Sequence, residues 1–208
     1  MNTKTGMLWV AALALGLGLL GCGTNIGNGM VQVELADAPD SQNDGMQALS
    51  ASAHGAPSGL PDEGDDAMVE PDYEQVIVTL GAVQAHYRGD DGERWITLVD
   101  AGGTHDLTTL RNDITAVLGD QEIPAGVYSE LRMIVTSGSV VIDGTSYPLM
   151  IPSAAQTGLK FPHRFEVEEG VDYVLVIDFD AVQSIEVLGP TGEYLLEPVL
   201  SVRAFGEQ

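Results

Sequence analysis

The sequence predicts an all-β sandwich, immunoglobulin-like or prealbumin-like, and three observations predict it. From Glu74 onward, apolar and polar residues alternate in many short runs separated by Gly, Asp and Pro clusters. Neither a βαβ alternation nor a long amphipathic helix interrupts these runs, which leaves a sandwich or a barrel, with the sandwich preferred. Roughly 135 residues follow from Glu74, enough for one domain with its own core. Cys22 is the only cysteine, so that core forms without an internal disulfide.

The N-terminus predicts export. Met1 to Gly6 is polar with one lysine, and Met7 to Leu20 is an apolar run rich in Ala, Leu and Gly. This is the layout of a secretory signal peptide, too short to cross a bilayer core that takes about 20 apolar residues. The run ends in Leu19-Leu20-Gly21-Cys22, which resembles the lipobox of bacterial lipoproteins. The resemblance implies that residues 1–21 are removed and that Cys22 is diacylated. Two acyl chains anchor stably where one binds only marginally. Gly23 in place of Asp after the cysteine implies, by the same resemblance, the outer membrane of a Gram-negative envelope.

The chain carries 31 Asp and Glu against 8 Lys and Arg, a formal charge of −23. Such a surface repels phosphate backbones, which argues against nucleic acid as a partner. Without a polybasic stretch, attachment to the membrane rests on the lipid at Cys22. Solubility, with self-repulsion screened by salt, accounts for the charge more simply than a specific cationic partner does.

After a Gly/Asn-rich tether over 22–29, Val31, Val33 and Leu35 alternate with polar residues, and residues 30–39 read as a first strand ended by Pro39. Residues 40–73, with the acidic run Asp62 to Asp66, read as a flexible insertion or linker. Residues 74–208 form the sandwich. Its first long segment reaches Arg88, with Val76, Val78, Leu80 and Ala82 on one face and Ile77, Thr79, Val83, Ala85 and Tyr87 on the other. A turn at Gly89 to Gly92 leads to a strand over Trp95 to Val99, and Gly102-Gly103 turns again. Leu107, Leu110, Ile114 and Leu118 have a helical spacing, but the Thr-rich context favours short strands over 106–118.

Val127, Leu131, Met133 and Val135 share one strand face, with Tyr128, Glu130 and Arg132 opposite. Asp143-Gly144 signals a type I′ hairpin. Pro148 and Pro152 bracket an edge or irregular stretch. Alternation resumes at Phe161, Phe165 and Val167, then at Tyr173 to Phe179, then at Ile185 and Val187. A last strand is expected from Tyr194 to Ala204.

Four pieces of sequence, Ile123 to Arg132, Pro152 to Lys160, Ile177 to Asp180 and Tyr194 to Leu200, together resemble a family of bacterial lipoproteins carrying domain of unknown function 4382. The resemblance covers most of the chain from Val31 to Ala204 and implies an envelope location and a β-sandwich, but no activity. The chain departs from the pattern in its acidic insertion after Asp40 and in the polar pair Thr108-Thr109. The Pro124 to Tyr128 piece also resembles prealbumin-like and pilus-type modules, in which a glycine turn feeds a strand with an outward tyrosine. That likeness concerns fold, and fold does not set function.

Two sets of residues are candidate sites. Asp178 and Asp180, two apart on a strand, project from one face with Phe179 turned inward. Such a pair is either a solvated strand end, a calcium site completed by other oxygens, or an acid–base pair for glycoside hydrolysis. His86, Arg88 and Trp95 flank one expected hairpin and form either a shallow ligand patch or ordinary surface and core. The four histidines make no HExxH motif and no close cluster, the acidic run lacks EF-hand spacing, and no GxSxG elbow occurs. No cofactor other than calcium is suggested. The function expected is a lipid-anchored, non-enzymatic envelope module that binds protein or glycan. The alternative is an envelope polysaccharide hydrolase using paired carboxylates.

Overall fold

The computed structural model describes residues 27–37, 73–89, 92–189 and 192–208. Cys22, the signal peptide and the acidic run at 62–66 lie outside them. The strands are β1 (Asn28–Ala36), β2 (Gln75–Gly89), β3 (Gly92–Val99), β4 (Gly103–Asp106), β5 (Ala116–Pro124), β6 (Gly126–Ile142) and β7 (Thr145–Met150). The helix α1 (Ser153–Thr157) precedes β8 (Leu159–Val167), β9 (Asp172–Asp180), β10 (Ile185–Leu188), β11 (Glu193–Leu196) and β12 (Val199–Glu207). They form two sheets in a sandwich-like arrangement. One has the order β12-β9-β1-β5; the other runs β10-β11-β7-β6-β2-β3, with β4 added on β2 and β8 on β6. The protein is therefore all-β, as its alternation predicts.

The strand β1 lies inside the smaller sheet, antiparallel to β5 and parallel to β9. Val31, Val33 and Leu35 expose nothing to solvent, because side chains two apart on a strand share a face and that face meets the larger sheet. The smaller sheet thus draws on chain from both sides of the 40–73 segment.

The long strands β2 and β6 bury different residues from those expected of uninterrupted alternation. Along β2 the buried set is Val76, Val78 and Leu80, then Val83, Ala85 and Tyr87. Opposite Leu80 stands Val135 and opposite Val83 stands Met133, so Gly81 and Ala82 face Ile134 alone. One extra residue is a β-bulge, and with a period of two it moves every later side chain to the other face. Both halves of β2 therefore line the core, whereas uninterrupted alternation sets Val83, Ala85 and Tyr87 on the opposite face.

On β6, extra residues at Thr136 and at Ser129-Glu130 opposite His86 do the same. Tyr128 is consequently buried with no exposed surface, contrary to the outward tyrosine implied by likeness. Its hydroxyl donates to the Pro124 carbonyl at 2.7 Å, and its ring stacks on Phe165 at 4.9 Å. Gly126 makes the turn possible: its φ is +140°, and a Cβ there would sit 2.9 Å from the Tyr87 ring. Phe165 meets Phe205 of β12 at 4.7 Å, which ties the two sheets along this margin.

Other details also depart from local pattern. Residues 107–110 form a single 3-10 turn capped by the Asp106 carboxylate, which buries Leu107 and Leu110, while Ile114 is exposed. Only 116–118 of the 106–118 stretch continue into a long strand, β5. The last expected strand is two: Glu197 and Pro198 separate β11 in the larger sheet from β12 in the smaller. Proline cannot donate to a ladder, so it suits a link between sheets. The hairpin at Asp143 (φ 49°) and Gly144 (φ 71°) has the backbone of the expected type I′ turn.

Candidate functional site

The outer face of β3, β2, β6 and β8 gathers side chains from distant parts of the chain. The register sets Thr97 beside Gln84, Gln84 beside Arg132, and Arg132 beside Lys160. This row crosses four strands, and next to it His86 pairs with Trp95. The half-buried indole of Trp95 is the centre of the group. The Arg132 guanidinium lies 4.4 Å from its ring centroid, the Lys160 ammonium 5.1 Å, and the His86 ring 5.0 Å. Cations held over an aromatic ring at these distances are attracted by its quadrupole.

Arg132 is positioned from two sides. Gln84 accepts from Arg132 Nε at 2.9 Å and also from Nη2, while its own Nε2 donates to Thr97 Oγ1 at 3.1 Å. On the other side Gly158 leaves room for the arginine stem, since a Cβ at Gly158 would fall 2.5 Å from Arg132 Cδ. His86 Nδ1 lies 3.2 Å from Ser129 Oγ, and Lys160 sits 3.8 Å from Glu130. Arg132 has no carboxylate partner among the described residues.

The charge of this face departs from the chain average. Strand phase sets Arg88, Arg132, Lys160 and Arg164 on it, facing Glu93, Glu130 and Glu166. Four cations against three carboxylates contrasts with 8 against 31 in the whole chain.

Of the three residues singled out from sequence, His86 and Trp95 are thus brought into contact. Arg88 lies farther along, 3.5 Å from Glu93, with both side chains more than half exposed. Gln84, Arg132 and Lys160 escape local reading because β6 and β8 are far away in sequence. The one local signal was their place among polar residues at alternate strand positions. Two of the family-like pieces, Ile123 to Arg132 and Pro152 to Lys160, meet at this face.

Asp178 and Asp180 occupy one side of β9, with Phe179 fully buried between them. Asp180 is engaged locally, accepting from Gln183 N at 2.9 Å and from Gln183 Nε2 at 2.6 Å. Asp178 Oδ1 is buried with no hydrogen-bond partner. Burial pushes the Asp178 carboxyl up, Arg203 holds it down, and the charges of Asp37 and Asp180 push it up further.

Asp37 follows β1 and is 1% exposed. It accepts from Arg111 Nε and from Ala181 N, both at 2.9 Å. Burial nevertheless outweighs these partners and raises its carboxyl. The loop after Arg111 carries two non-glycine residues at positive φ, Asn112 and Asp113, and Asp113 pairs with Arg203. This is a network of ion pairs around a buried acid, and among the described residues no group of three or more His, Cys, Asp or Glu side chains is placed to hold a metal ion.

The remaining features carry less chemistry. His105 Nε2 lies 2.6 Å from the Gly102 carbonyl, and burial lowers His163. A groove of about 330 Å³ between α1 and the Pro198 link is mostly apolar. Among the described residues no helix is long and apolar enough to cross a membrane.

No curated protein and no solved structure matches the chain. Residues 65–198 match the model of a family described as Domain of unknown function (DUF4382). The match takes in β2 to β11 and leaves out β1 and β12, an inner and an outer strand of the smaller sheet. Since it spans more than half of the sequence and every strand of the larger sheet, the chain belongs to the DUF4382 family.

Proposed function

We propose that this protein is a lipid-anchored, non-enzymatic module of the cell envelope, and that the Trp95 face is where it binds a glycan. In this reading residues 1–21 are a signal peptide, lipid on Cys22 holds the chain to the outer membrane of a Gram-negative cell, and an immunoglobulin-like or prealbumin-like sandwich presents the face. One observation carries the binding: a half-buried indole on an outer sheet face, with two cations over its ring. Around it stand Gln84, Thr97, Ser129 and His86, polar groups suited to sugar hydroxyls. No observation among the described residues favours the hydrolase alternative. Asp180 serves its own turn, and Asp178 is a partly enclosed carboxyl near the charges of Arg203, Asp37 and Asp180 at the end of β9.

Trp95 supplies the test. Only Trp9 and Trp95 occur in the sequence, so a chain processed at Cys22 has Trp95 as its single tryptophan. Titration with soluble envelope oligosaccharides should give a saturable change in Trp95 emission, weakened in Gln84→Ala. No saturable response to any of them removes the binding reading. Independently, labelled palmitate should enter the wild type but not Cys22→Ser, and equal labelling of both removes the anchor.

A further inference from the structure

We infer that the glycan recognised at the Trp95 face is acidic, with a sugar carboxylate received by Arg132 and Lys160. The inference rests on the binding reading above and names its ligand class.

Arg132 lacks an acidic partner among the described residues. A partly buried guanidinium normally finds a carboxylate, because an unpaired charge taken out of water is costly. This chain has 31 acidic residues, yet none described pairs with Arg132. Its partner is the neutral amide of Gln84, which takes Nε and Nη2 and fixes the plane of the guanidinium without cancelling its charge. Nη1 has no such partner among the described residues, and a planar guanidinium suits a carboxylate geometrically. Lys160 is a second cation over the same ring, only loosely engaged with Glu130 at 3.8 Å. Two like charges held over one indole repel each other, and an anion between them relieves that repulsion.

The rest of the molecule narrows the anion. A chain of −23 repels a dense polyanion at separations up to a Debye length of about 8 Å in physiological salt. It admits a ligand whose charges are few and spaced by neutral groups. The aromatic ring and the nearby amide and hydroxyl groups suit sugar rings carrying an occasional uronate.

The experiment compares two probes by titration calorimetry against the full mature chain. One is a tetrasaccharide with a single glucuronate; the other is the same molecule with that carboxyl reduced to the alcohol. The acidic probe should bind about tenfold more tightly, a difference of about 1.4 kcal/mol, and the preference should shrink with added salt. Lys160→Met, at an exposed position, and Arg132→Gln should each bring the affinities for the two probes to within about twofold of each other. Equal affinity of the wild type for both probes overturns the acidic assignment and leaves the glycan reading standing. Binding of neither overturns both. A preference that survives in both variants places the carboxylate elsewhere and also overturns the inference.

Discussion

Replacing Leu35 by alanine tests whether β1 is part of the core or only leans on it. Leu35 is fully buried, opposite Ala116 of β5 and Ile177 of β9. Leucine-to-alanine changes at such sites cost about 2.7–5 kcal/mol, because the transfer energy is lost and a cavity remains. Strands on both sides limit collapse into that cavity, so about 3–4 kcal/mol is expected, a large part of a typical stability of about 5–15 kcal/mol. With an m-value near 2 kcal/mol/M, the urea midpoint should fall by about 1.5–2 M. Unfolding is followed by Trp95 emission and by far-ultraviolet circular dichroism. Trp95 lies on the larger sheet and Leu35 on the smaller, so coincident transitions mean that β1 folds with the whole sandwich. Glu34, half-buried and accepting from Gln32 at 2.7 Å, is the control. Its replacement by alanine should stay within about 0.5 kcal/mol of the wild type. A Leu35→Ala loss below about 1 kcal/mol, or two separate transitions, refutes the central role of β1.

Arg111→Ala should destabilise by about 3 kcal/mol at neutral pH, because it strips the buried Asp37 carboxylate of its cation. The cost should shrink as acid protonates Asp37, which thermal melts across pH can follow. Asp178→Asn should stabilise by about 1 kcal/mol at pH 7, because a neutral amide replaces a partly enclosed carboxylate whose charge is disfavoured by burial and by Asp37 and Asp180. The sign follows from proton binding: burial raises the folded carboxyl, so its charge destabilises the fold as pH climbs through that raised value. The gain should vanish below the ordinary value of 3.8, where both states are protonated; an unchanged gain at acid pH refutes it. Tyr128→Phe should cost about 1 kcal/mol in urea unfolding by leaving the Pro124 carbonyl unpaired. Burial also holds the Tyr128 phenol well above its usual range, so in an ultraviolet titration it should ionise only when the chain unfolds.

How much of this was legible beforehand depends on the distance over which each feature is decided. Alternation, turn chemistry and the lack of helical periodicity are local, and they sufficed for an all-β fold, for the first strand and for the Asp143-Gly144 hairpin. His86 and Trp95 were legible together because a short hairpin joins them and cross-strand pairing brings them to one face. The bulges at Gly81-Ala82, Ser129-Glu130 and Thr136 were not, since each exists only relative to the residues opposite, far away in sequence. Missing them reversed the faces of Val83, Ala85, Tyr87 and Tyr128.

The sequence by itself determined that the chain is all-β, where it turns at the Asp143-Gly144 hairpin, and that it carries a large excess of negative charge. Tertiary structure alone decided that β1 sits between β5 and β9, that Pro198 parts two strands between two sheets, and that Arg132 and Lys160 stand over Trp95. The physical reason is that apolar periodicity sets a strand's buried face one element at a time. Neighbour, register and sheet follow from hydrogen bonding and packing with segments that the local pattern does not identify.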